Sequence, residues 1–197
     1  KREFIEICEA MIKTGIKPDY IAIDGGEGGT GAAPVEFSNS LGMPLLDGLA
    51  FAVDTLRGYG LKKDIRVVAS GKIISSFHIA RAMAIGADLV YSARAMMMAV
   101  GCIQALQCNT NTCPVGVATQ DRELMKGLDV EDKATRMYNF HKKTMHILSE
   151  LISATGVKSH RDFNSFHVNL RIDNKRIMSY DKLYPILEKD AYVVIYV

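Results

Sequence analysis

No stretch of these 197 residues is apolar over the roughly 20 positions that a membrane-spanning helix needs. The longest apolar run, around residues 93–103, is broken by Arg94. The opening Lys1-Arg2-Glu3-Phe4 puts charges where a secretion signal would have an unbroken apolar core. Charge is nearly balanced at a net +2, which gives no global pull toward nucleic acid or a membrane surface. The chain has no internal repeat, no low-complexity linker and no Cys-x-x-Cys clamp of the kind common in zinc sites. Four cysteines without an export signal point to a reducing, cytoplasmic setting and to metal or catalytic use.

What is present fits a soluble globular protein with a substantial core, 48% hydrophobic and 23% charged. The length allows one domain, or one domain with an extension. The chain does not open on methionine and its first residues already carry a helical pattern, so it is expected to be a piece of something longer.

Phe4, Ile5, Cys8, Met11 and Ile12 recur at helical spacing, and Gly15 with Pro18 ends that pattern. Residues 20–24 read as a short strand running into a glycine-rich loop. A helix is expected over 44–59, stopped by Gly60, and a second strand over 65–70, broken by Gly71. Ser75 or Ser76 can cap a helix that runs to Ile85 and stops at Gly86. A third strand over 88–91 is followed by a Met-rich helix to about Leu106. This alternation predicts parallel βα units, an α/β fold with ligand-binding loops at the C-terminal strand ends. Beyond the cysteines, residues 130–155 carry a further helical pattern, and 192–197 look like a strand. The expected division is 1–120 for the βα units with the cysteine loop and 121–197 for a helical and mixed C-terminal extension.

Three cysteines lie close together, with five residues between Cys102 and Cys108, four between Cys108 and Cys113, and Pro114 directly after. An odd set of thiols suits a disulfide framework poorly, because one sulfur is left over. It suits an iron–sulfur cluster held by three thiolates, and Cys-Pro endings occur in ferredoxin-type cluster loops. Zinc, a disulfide plus one thiol, and unrelated buried cysteines are the alternatives. None of the five histidines pairs with these cysteines at metal-ligand spacing, and Cys8 reads as a small apolar residue of the first helix.

Residues 25–34 contain five glycines, which permit close backbone approach and offer unhindered N–H groups. No Lys-Ser/Thr follows them, so this is not a nucleotide P-loop. Ser70-Gly71-Lys72 and Ser92-Ala93-Arg94 follow the second and third strands. In barrels the loops after the last two strands commonly bind a phosphate. The methionines 96–98 read as core packing.

Gly101-Cys102 through Cys113-Pro114-Val115-Gly116-Val117-Ala118-Thr119-Gln120-Asp121 resembles the signature of glutamate synthase large-subunit central domains. Gly28-Gly29-Thr30-Gly31-Ala32-Ala33-Pro34 is similar to that family's other hallmark, and the match runs from about residue 3 to 163. The subgroup most resembled is the FMN-binding glutamate synthase family proteins, which lack the amidotransferase domain.

The resemblance implies the C-terminal part of an FMN-binding TIM (β/α)8 barrel, about strands 6–8, beside a three-iron, four-sulfur (3Fe-4S) cluster. It implies Cys102, Cys108 and Cys113 as cluster ligands. FMN would fall to Gly28, Gly29, Thr30 and Gly31 with Ser70, Gly71, Lys72, Ser92, Ala93 and Arg94. It assigns no catalytic residue here, since the catalytic lysine region belongs to earlier strands. The implied partners are 2-oxoglutarate with ammonia or glutamine-derived ammonia, and a donor such as ferredoxin or an NADPH-linked subunit. Nucleic acid and membrane are not expected; the two open sheet edges of a three-strand piece call for a partner polypeptide or for self-association. The family usually has His-Asp or His-Asn before Gly-Gly-Thr-Gly; this chain has Gly26-Glu27, which puts the native substrate in question. Two other readings are a non-catalytic, cluster-carrying electron-transfer module and an FMN oxidoreductase with another substrate.

Overall fold

The computed structural model describes residues 1–28, 31, 33–34 and 36–185. The terminal strand expected over 192–197 and the positions Gly29 and Thr30 lie outside the described residues. Helix α1 (Arg2–Thr14) ends where Gly15 turns left-handed and its N–H returns to the Met11 carbonyl. Strand β1 (Tyr20–Asp24), helix α2 (Leu45–Gly58), strand β2 (Arg66–Ser70), helix α3 (Ser76–Ile85), strand β3 (Leu89–Tyr91) and helix α4 (Arg94–Ala99) follow in order. The expected capping of α3 is present: Ser75 accepts from the His78 N–H, and Gly86 closes the helix.

The strands form one parallel sheet in the order β1-β2-β3. Their register lines up Asp24 with Ser70, and Ser70 with Tyr91, so the C-terminal ends of all three strands lie side by side. Side chains alternate across a sheet. One face carries Ile21, Ile23, Val67, Ala69 and Val90, which join Cys8, Leu49, Val53, Leu56 and Ile85 of the helices in the apolar core. The opposite face carries Tyr20, Leu89 and Tyr91, each more than half exposed. Val68, between Ala22 and Leu89 in the register, is the buried exception on that side.

Helix α4 stops well short of the expected Leu106. Gly101 adopts φ 104 and the Cys102 N–H turns back to the Met97 carbonyl, which releases the cysteines into a loop. After it come the one-turn helix α5 (Arg122–Met125) and the long helix α6 (Val130–Ser153), which packs on α3 and α4. Ser76 ties α3 to α6 by donating to the Thr144 carbonyl at 2.8 Å. Beyond α6 an antiparallel pair, β4 (Asn169–Arg171) and β5 (Ile177–Ser179), leads into helix α7 (Tyr180–Leu183). Phe163, Val168 and Tyr180 of this region enter the same core as α1–α3. Among the described residues no helix is long and apolar enough to cross a membrane.

Candidate functional site

The three strand-end loops are laced together by their own backbone. The Gly25 N–H donates to the Ser70 carbonyl at 2.7 Å, carrying the β1–β2 ladder one step past the strands. Gly71 (φ 138) lies so close to Gly25 that a Cβ on it would stand 3.2 Å from the Gly25 nitrogen, so glycine is required there by conformation and by space. Ser92, after β3, donates its hydroxyl to the Ile73 carbonyl at 2.7 Å, which joins the third loop to the second. Lys72 (φ 45) donates its ammonium to the Asn39 side chain, and the Asn39 N–H bonds the Gly26 carbonyl.

Glu27 has a role that its place in a glycine loop does not suggest. Helix α2 begins after Pro44, which has no side-chain oxygen to cap it. The Glu27 carboxylate reaches across and accepts from the Leu45 N–H at 2.9 Å, doing from 18 residues away what a capping residue does locally. Negative charge at a helix N-terminus also meets the positive end of the helix dipole.

The cysteine loop is held by side-chain hydrogen bonds instead of regular structure. Gln104, Leu106 and Asn111 all adopt positive φ, a strained arrangement for residues with a side chain. Asn111 accepts from the Gln120 N–H and the Thr119 hydroxyl, while Thr110, Thr112 and Gln107 bond one another. All three cysteines are free thiols. The Cys102 sulfur accepts from the Gln104 N–H at 3.4 Å. At Cys113 the backbone N–H of Ala118, against the opposing effect of burial and with help from Val115, Val117 and Gly116, holds the thiol below its ordinary range.

The glycine loop and the cysteine loop meet. A Cβ placed on Gly31 would stand 2.7 Å from Leu106 Cα and 3.1 Å from Cys108 Sγ. Among the described residues no three His, Cys, Asp or Glu side chains are gathered to hold one metal ion. A cluster makes a different demand, because each thiolate binds its own iron and the sulfurs stand apart around the group. Three free thiols on one loop, one of them under a group of amides, fit that demand in their chemistry. A cavity of about 820 Å³ opens elsewhere, between β3, α3 and α6, lined by Leu89, Val90, Met96, Phe140, Leu148 and Ile152. It runs along the outer edge of β3, and no cysteine lines it.

The model of the conserved region in glutamate synthase matches residues 3–158. The chain belongs to the glutamate synthase family. It is similar to the glutamate synthase large subunit-like protein YerD of Bacillus subtilis (strain 168), 43% identical over 92% of this chain and 34% of that protein. The archaeal glutamate synthase [NADPH] of Methanocaldococcus jannaschii is 43% identical over 72% of this chain and 28% of its own length. Ferredoxin-dependent glutamate synthase 2, chloroplastic, of Arabidopsis thaliana is 42% identical over 54% of this chain and 6% of its own. The chain thus spans about a third or less of these glutamate synthase relatives.

Of the positions picked out in the sequence, Ser70 ends β2, and Gly28, Gly71, Lys72 and Ser92 lie in the interlaced strand-end loops. Ala93 is the N-cap of α4 and Arg94 its first helical residue. Gly31 sits at the junction with Cys108. Cys8 is fully buried and its thiol is pushed up to about 11 by burial and by neighbouring Glu9. Sequence reasoning missed Glu27 as a remote cap, and Asn39 and Asn111 as left-handed anchors. Asparagine's tolerance of that conformation was the available signal for the last two.

Proposed function

We propose that this chain is the C-terminal part, about strands 6–8, of an FMN-binding (β/α)8 barrel in a glutamate synthase-type oxidoreductase. The observation that carries the reading is the junction of two loops: the glycine loop at the strand ends lies against Cys108. A barrel also accounts for a parallel sheet with helices on one face and large side chains exposed on the other, since parallel sheets are ordinarily covered on both.

Gly71, Lys72, Ser92, Ala93 and Arg94 would hold the FMN phosphate, and Gly28 to Gly31 would lie near the flavin and 2-oxoglutarate. Ser92 spends its hydroxyl proton on Ile73, so its part is to fix the loop. Cys102, Cys108 and Cys113 would ligate a 3Fe-4S cluster. When bound, the cluster passes single electrons and FMN delivers a hydride, the chemistry that converts the imine of 2-oxoglutarate and ammonia into glutamate. The amides over Cys113 favour its thiolate, and N–H groups at sulfur are one of the factors that set a cluster's potential. Glu27 fixes the glycine loop to α2, so the exchange at Gly26-Glu27 serves the scaffold at least as much as the substrate side.

The test is made on the full-length protein, purified without oxygen. It should carry FMN, iron and acid-labile sulfide, and oxidise reduced ferredoxin, or an NADPH-linked donor, only with 2-oxoglutarate and ammonia. Absence of flavin, or of turnover with both substrates and a competent donor, would count against this reading.

A further inference from the structure

We propose that Gly31 is a positioning residue for Cys108: the glycine loop after β1 forms one wall of the thiolate site, and a side chain at position 31 displaces the sulfur. The proposal rests on reading Cys108 as a cluster ligand, and extends that reading to a residue on a different element. Gly31 lies on the loop leaving β1, whereas Cys108 lies in the loop that follows α4, 77 positions along the chain.

Two distances decide it. A Cβ at Gly31 would stand 2.7 Å from Leu106 Cα, which is backbone and cannot rotate away. The same Cβ would stand 3.1 Å from Cys108 Sγ, closer than ordinary van der Waals contact. Relief must come from movement of residues 106–108 or of the loop that carries Gly31. Leu106 is already held at φ 56, so that segment has little freedom to yield without giving up its conformation. On the far side the loop is tied down through Gln107, Thr110 and Thr112, and through Asn111 to Thr119 and Gln120. The Cys108 sulfur thus belongs to a hydrogen-bonded loop that approaches Gly31. The other loop glycines behave differently. Gly28 would place its Cβ at 3.4 Å from the Gly25 carbonyl oxygen and near no cysteine.

The consequence is that the loop after β1 and the cysteine loop come together at Gly31. Gly31 is in the same loop as Gly25 and Glu27, which are bonded to β2 and α2.

The experiment uses the full-length protein. Gly31→Ala should release iron to a chelator about 10-fold faster than wild type, the low end for loss of a group that supports a metal ligand. Gly28→Ala, whose Cβ meets no cysteine, should release iron at the wild-type rate. Equal release from Gly31→Ala and wild type overturns the positioning role while leaving the cluster reading intact. A wild-type protein without iron overturns the cluster reading, and the ligand role of Cys108 with it.

A second variant tests the contact itself without any cluster. The separation of 3.1 Å is close to that between a Cβ and the partner sulfur across a disulfide, roughly 3 Å. In metal-free Gly31→Cys a diazenedicarboxamide oxidant should join residue 31 to Cys108. The two thiols lose two protons and two electrons, and the azo group takes them up as a hydrazine. Peptide mapping should find the 31–108 link in the folded protein and not in the Gly31→Cys, Cys108→Ala double variant. A link to Cys102 or Cys113 in its place, or none, overturns the proposed contact.

Discussion

Cys8 and Cys113 are both buried, and their surroundings drive their thiols in opposite directions. Around Cys8 are the apolar side chains of α1 and its packing partners, together with the charge of Glu9, and the thiol is pushed up to about 11. Around Cys113 are backbone N–H groups, and the thiol is held below its ordinary range. Burial is what chiefly raises Cys8, whereas at Cys113 the amides that face the sulfur outweigh it. A regular helix has already used its amides within itself and has none to offer a neighbour's sulfur. A loop can aim several at one atom, and this chain places three cysteines in a loop and one in a helix.

The largest effect expected from that difference is on metal content. In full-length protein Cys113→Ala should abolish bound iron and acid-labile sulfide, and Cys8→Ala should leave both at the wild-type level. Metal-free protein should separate the two thiols as well. Cys113 should be alkylated at lower pH than an ordinary thiol, and Cys8 only once the protein is unfolded. Equal iron in Cys113→Ala and wild type would collapse the comparison.

The same contrast shows what could be read from the residues alone. Strands, helices and their glycine stops follow from local patterns: Gly15, Gly60 and Gly86 each close the helix they were expected to close. The cysteine spacing and the glycine run stood out because they are local too. Helix α4 was overextended, since methionine and alanine run on toward Leu106 in the sequence while Gly101 breaks the backbone first. The β4–β5 pair went unseen because its strands have three residues each and their hydrophobics are sparse; the Asp173 turn that joins them was the weak signal. The capping role of Glu27 and the approach of Gly31 to Cys108 were hidden for a different reason. Each acts on a residue far along the chain, Leu45 and Cys108, and no periodicity encodes such a partner.

A second test sharpens the comparison by changing the sulfur to oxygen. Cys8→Ser puts a hydroxyl into an apolar core where its available acceptor is a carbonyl one turn back, as Thr55 uses Phe51, and should cost about 1 kcal/mol of stability in denaturant unfolding. Cys113→Ser meets amides that can donate to its oxygen, and should lose much less stability while losing the iron. Similar destabilisation of the two variants would mean that the amides at Cys113 do not act as donors.

His78 offers a milder case in which burial and a backbone amide act together. Its Nδ1 accepts from the Ile74 N–H at 3.2 Å, in the loop after β2. Burial, and then nearby Arg81, hold its pKa below the ordinary histidine value. A depressed value means that the fold favours the neutral ring. The stability it contributes is complete above about pH 6.5 and is lost as pH falls through the lower folded value. Thermal melts between about pH 7 and pH 5 should show the wild type losing more stability than His78→Asn, which does not titrate. Parallel curves would remove His78 from the loop's support.

The smallest expected effect concerns Glu27, where a carboxylate and not a thiol meets a backbone amide. Glu27→Gln keeps an oxygen for the Leu45 N–H and gives up the charge at the start of α2, so it should cost about 0.3–1 kcal/mol. Glu27→Ala leaves that N–H without its partner and should cost about 1 kcal/mol, in the range for a lost helix cap. Chemical denaturation of both variants ranks the two contributions. If Gln is as harmful as Ala, the charge is what matters, and the loop is held to α2 by electrostatics that salt would weaken. If Gln matches wild type, the hydrogen bond is sufficient. Glu27 would then share with Cys113 its dependence on backbone amides, with the difference that the Leu45 amide comes from 18 residues away and those at Cys113 from its own loop.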